Sequence, residues 1–160
     1  MAVDMFLKLD DVEGESTDSK HAGEIAVLSW SWGLQQPGAS LVGSGAGAGK
    51  VKVNDLLVTK HVDNASPRLM LACCSGEHFK EALLTVRKAG QTPVEYLKIT
   101  MKEVFVSSMS IDGTDEQDRP TETIGFSFGE FQSQYTAQKP DGTADATIEV
   151  GWNIVKNTKV

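Results

Sequence analysis

The sequence predicts a mainly β, antiparallel domain with one short helix, arranged as a barrel or a sandwich. Two observations carry that expectation. Apolar and polar side chains alternate with a period of two through most of the chain, and one segment alone changes to a helical signature. At 160 residues the chain suits a single domain, and 40% apolar residues suffice for a core.

The elements follow in order. Met5, Leu7 and Leu9 face one way and Phe6 and Lys8 the other, which predicts a first strand. Residues 24–33 alternate as well: Ala26, Leu28, Trp30 and Trp32 on one side, Ile25, Val27, Ser29 and Ser31 on the other. The tryptophan side is expected to meet the core. A third strand is expected over 51–62. Ser66 then reads as a helix N-cap, Pro67 as the first helical residue and Gly76 as the stop, which predicts a helix over 66–75. Alternation resumes over 80–88, where Ala82, Leu84 and Val86 share a face. The next segment, 94–108, would be about 50 Å of strand, long enough that a bend or bulge is expected inside it. Residues 121–135 put Ile124, Phe126 and Phe128 together, and 146–155 do the same for Ile148, Val150, Trp152 and Ile154.

Composition excludes whole classes of partner. Fifteen basic against 22 acidic residues give a net charge of −7, with a pI near 4.9. No basic face is available for nucleic acid or for an anionic membrane. The longest apolar run, 69–74, is far short of the roughly 20 residues of a membrane helix, and residues 1–6 lack the pattern of a secretory signal. Cys73 and Cys74 are adjacent, so they can neither staple the fold nor form a spaced metal or redox pair. They read as buried or half-buried thiols in a reducing compartment.

Three signatures resemble catalytic or ligand motifs, and each fails on context. GFSFG at 125–129 matches GxSxG, yet Ser127 lies in mid-alternation with no helix after it, and His21, His61 and His78 all precede it. SGAGAGKV at 44–51 lacks both the first glycine and the final hydroxyl of a P-loop. The acidic stretch 112–118 lacks the spacing of a calcium loop, and the scattered histidines suggest no metal site. Neither an enzymatic activity nor a cofactor is expected. Residues 33–50, by contrast, hold six of the 15 glycines. Such a stretch is costly to order, so it is expected to be either disordered or ordered by a partner.

The segments DMFLKLDDVEGES, HAGEIAVLSWSWG, KVKVNDLLVTKHVDNASPRLMLACCSGEHF, LTVRKAG, VEYLKITMKEVFVSSMS and GWNI occur in a familiar order. With them the chain resembles the haemolysin-coregulated protein (Hcp) family, the tube protein of bacterial type VI secretion, over essentially its whole length. The resemblance implies a two-sheet antiparallel β-barrel with one flanking helix, similar to phage tail-tube proteins, filling residues 1–160 as one tube domain. It implies homo-hexameric rings that stack into a hollow tube and effector proteins sheltered in the lumen. Sheath and spike components would be further partners. The protein would be cytoplasmic before assembly and secreted without a signal peptide. Ser29 and Ser31 become lumen candidates for effector contact, with Ser31 of WSWG foremost. Gly43, Ser44, Gly45, Gly47, Gly49 and Lys50 become candidates for contact between subunits or rings. A stand-alone ligand-binding β-barrel and a phage tail-tube subunit are the alternatives.

Overall fold

Alternating side chains become strand in twelve places in the computed structural model, which describes residues 2–37 and 49–160. The strands are β1 (Val3–Leu9), β2 (Ile25–Ala26), β3 (Ser29–Ser31), β4 (Leu34–Gln35), β5 (Lys52–Val53) and β6 (Leu56–His61). After helix α1 (Ser66–Ser75) come β7 (His78–Lys88), β8 (Glu95–Asp112), β9 (Thr121–Ser127), β10 (Glu130–Gln138), β11 (Ala144–Asn153) and β12 (Thr158–Lys159). Ten of them join one antiparallel sheet, while β4 and β5 form a separate ribbon. Among the described residues the strand ladders do not run round into a closed barrel, so the expected two-sheet barrel is not confirmed.

The bend lies in β8, as its length requires. Its first half pairs with β7 and β10, and its second half with β9. Between the halves Glu103 takes φ 55°, and the register with β9 slips between Val106 and Ser108, leaving Ser107 as an extra residue. Gly125 faces this bulge. A Cβ there would lie 2.9 Å from Ser107 Oγ and closer still to Ser108 Oγ, so a larger residue requires both hydroxyls to turn aside. One face of the bent sheet and the inner side of α1 enclose the core, which includes Leu7, Ile25, Val58, Leu69, Leu84, Met101 and Phe126.

Several expected strands break where the chain changes partner. Val27 N–H donates to Met5 O at 3.0 Å, whereas the next amide, Leu28 N–H, donates to Thr59 O at 2.8 Å. The switch from β1 to β6 costs one residue of phase. Ile25 and Val27 are therefore buried while Ala26 and Leu28 are exposed, and only beyond the switch do Trp30 and Trp32 turn inward. The tryptophan side is thus the core side for half of its length. Similarly, 51–62 divides at Asn54-Asp55, and 121–135 divides at Phe128-Gly129, where Gly129 N–H reaches Lys102 O.

The helix starts by a different device from the one expected. Ala65 occupies the cap position in helical conformation, without a side-chain cap bond, and Asp63 Oδ1 accepts the Ala65 N–H at 2.9 Å. Ser66 is not the cap because its hydroxyl points inward, donating to Glu122 at 2.6 Å and accepting from Asp63 N–H. Gly76 ends the helix as expected, at φ 71° with its amide on Ala72 O.

Candidate assembly surfaces

Ladder register assembles the first surface. Residues opposite one another in an antiparallel pair project to the same side of the sheet. Ser29 pairs with Thr59, Thr59 with Thr123, and Thr123 with Ser110, so one row of four hydroxyls crosses β3, β6, β9 and β8. A second row runs Ser31, Leu57, Gly125, Ser108. Ser29 and Ser31 are exposed, as the sequence suggested, and so are Ser108 and Ser110. Thr59 and Thr123 share a hydrogen bond at 3.1 Å. Neither row contains a charged residue, although the chain carries −7.

Behind these rows lies the most polar part of the core. Lys60 and Glu122, themselves opposite in the ladder, are fully buried with Nζ to Oε1 at 2.5 Å. Lys60 also donates to Asp63 Oδ1 at 2.6 Å, to His61 O at 3.1 Å and to Ser66 Oγ at 3.2 Å. One ammonium thereby fastens the start of α1 to the hydroxylated sheet.

A second ionic group fastens the 13–24 segment. Arg87 donates to both oxygens of Asp18, at 3.1 and 2.6 Å, and to Asp4 at 3.0 Å, with its guanidinium 5.1 Å above the Phe6 ring. The hydrogen bonds from Arg87 hold the Asp18 carboxyl far below the usual carboxylate range, and those to Asp18 and Asp4 raise Arg87 in turn. His21 stacks on Phe6 and bridges Glu24 and Glu95. Burial works to raise Glu95, but hydrogen bonds from Lys98 and His21 outweigh it and hold the group low.

Among the loop candidates, Gly43, Ser44, Gly45 and Gly47 lie outside the described residues. Gly49 is pressed against the other stem, since a Cβ there would sit 2.7 Å from Pro37 O, and Lys50 is exposed. Leu34 and Val53 pair just below, in the β4–β5 ribbon.

The second surface lies on β11. Alternation puts Ile148, Val150, Trp152 and Ile154 together, yet Ile148 is 69% and Val150 61% exposed. Tyr135, opposite Ile148 on β10, is 52% exposed. Only Trp152 and Ile154 pack against the core. An open apolar cavity of about 330 Å³, lined by Leu34, Val51, Phe131, Val150, Gly151 and Trp152, lies at the foot of this flange. Alternation signals that a face is to be covered, but not by what.

Ser127 lies within β9 rather than at a strand-to-helix turn, so GFSFG builds no nucleophile elbow. Among the described residues no three His, Cys, Asp or Glu side chains converge as metal ligands, and no helix is long and apolar enough to cross a membrane. Cys73 is half-buried, whereas Cys74 is exposed on the outer side of α1, contrary to the expectation of two sheltered thiols.

Comparison with known proteins agrees with this geometry. Residues 6–135 match the family described as "Type VI secretion system effector, Hcp". The chain is 52% identical to Protein hcp1 of Pseudomonas aeruginosa, with 99% of each chain covered. It superposes on a solved type six secretion system protein with a TM-score of 0.93 at 35% identity, covering 99% of this chain and 100% of that one. Hcp1 from Salmonella typhimurium gives 0.84 at 38% identity, with both chains covered in full. An antiparallel β fold with one flanking helix, a family match over most of the chain and relatives matched end to end lead to one conclusion: the chain belongs to the Hcp family of type VI secretion proteins.

Proposed function

We propose that the chain is a ring-forming tube subunit, whose rings stack into the secreted inner tube and carry effector proteins in the lumen. The observation that supports this reading is the open sheet. Among the described residues, the four strands bearing the hydroxyl rows end in two unpaired edges, the outer side of β3 and residues 108–112 of β8. A monomer leaves both edges as pairing hazards. A head-to-tail ring covers each with the other. Four strands is an even number, so β3 of one copy meets β8 of the next in the antiparallel sense. Ser29 and Ser31 of one copy then stand beside Ser110 and Ser108 of its neighbour, and the rows continue around a hydroxylated wall. In this reading the wall faces effectors, the glycine-rich segment 33–50 meets a neighbouring copy or ring, and sheath and spike engage the outside. The subunit leaves the cell with the tube.

Light scattering behind size exclusion, with negative-stain images of the peak, tests the proposal. Ring particles of about 103 kDa, six chains of 17.2 kDa, are expected. A 17.2 kDa monomer at every concentration would refute the ring and favour a stand-alone ligand-binding domain.

A further inference from the structure

We infer that the apolar flange of β10 and β11 is the adhesive part of the contact between two copies of this chain, an assignment that rests on the ring reading above. Edge pairing alone is too small to hold a ring. β3 offers three residues, whereas a stable protein interface buries roughly 800 Å² on each partner. The flange supplies the missing apolar area. Tyr135, Ile148 and Val150 continue the face that, nearer the core, carries Met101, Ile99, Phe131 and Trp152. The amphipathic pattern of a buried sheet thus runs past the end of the chain's own core, and nothing in the chain's described residues covers it.

Charge identifies the occupant. Copies carrying −7 each repel, so self-contact requires a patch free of charge. The flange is such a patch, because Ile148 and Val150 share its face with Ser133 and Tyr135, short of the register slip between Thr136 and Gln138. Glu149 alternates onto the other face, where Gln132 and Gln134 both donate to it. The edge tells the same story. Among the described residues no strand lies on the outer side of 144–150 of β11, since β12 begins its pairing at Trp152. Residues 144–150 contain neither the lysine nor the proline with which monomeric proteins protect such edges. The cavity at the flange's foot then receives an apolar side chain of the neighbouring copy.

The test compares the wild-type chain with the Ile148→Glu/Val150→Glu variant at equal concentration. A wild-type ring and a 17.2 kDa variant with an unchanged circular dichroism spectrum are expected. A variant that keeps the ring mass overturns the flange contact and leaves the ring reading standing. A wild-type monomer overturns the ring reading first. Hydrogen exchange needs no substitution and reads the same contact. Amides of residues 144–150 should exchange at least tenfold more slowly in the ring than after dilution to monomer. Equal rates in the two states would place the interface elsewhere.

Discussion

Replacing Lys60 by methionine should be the most damaging single change near the hydroxylated face. Methionine fills nearly the same volume, so no large cavity opens, and the effect isolates the charge. The Lys60 ammonium has no solvent exposure and meets Glu122 at 2.5 Å and Asp63 at 2.6 Å. Removing it leaves the Glu122 carboxylate in the core with no counter-charge and withdraws the link to Ser66 at the start of α1. Breaking one side of a buried pair costs about 3–5 kcal/mol. In a chain of this length that corresponds to a fall in Tm of roughly 10 °C. Thermal denaturation at one fixed protein concentration measures it, since assembly itself shifts Tm. The companion Lys60→Met/Glu122→Leu should recover at least half of the loss, because an apolar pair of similar shape removes the uncompensated charge. A loss below about 1 kcal/mol for Lys60→Met, or a double variant worse than the single, would refute the argument.

Three further outcomes follow from other places in the fold. Gly125→Val should destabilise the chain by about 1–3 kcal/mol in urea unfolding, because its side chain forces the hydroxyls of the Ser107–Ser108 bulge aside and draws Ser107 away from Asp55. Asp18→Asn should lower Tm at pH 6 and matter progressively less in acid. The folded carboxyl lies below its ordinary 3.8, so its stabilisation is complete above that pH and is lost as pH falls through the folded value. The wild-type and variant Tm curves should therefore converge below about pH 4, and parallel curves down to pH 2 would contradict this. Ser31→Gln should leave the ring mass unchanged while lowering the amount of co-purified effector, because Ser31 is exposed on the hydroxylated face and away from the core.

Local chemistry made much of the fold legible. The buried triplets Ala82, Leu84, Val86 and Ile124, Phe126, Phe128 appear on the faces that alternation assigned them. Gly76 stops the helix for the reason a glycine usually does. What local pattern could not reveal depends on distant partners. Ser66 turns inward because Glu122 waits 56 positions away, so a serine placed to cap a helix does something else. The phase slip at Val27-Leu28 reflects two acceptors on different strands, Met5 O and Thr59 O. Ser29 and Ser31 could be assigned a side from the sequence, but only the ladder joins Ser29 to Thr59, Thr123 and Ser110, and Ser31 to Gly125 and Ser108. Ile148 and Val150 mark the opposite limit, where alternation announces burial and the chain alone does not provide it.

The shape of β8 also has a mechanical consequence. This 18-residue strand is bonded to β7 and β10 along one half and to β9 along the other, so it belongs to every large part of the sheet. A pull along its length meets many main-chain bonds aligned in shear, which must rupture together rather than open one after another like a zip. A push at one end is passed to the other through backbone rather than through side-chain packing. A chain built around such a member should unfold slowly under a pull along β8, since forced unfolding is governed by a rate and not by a balance of populations.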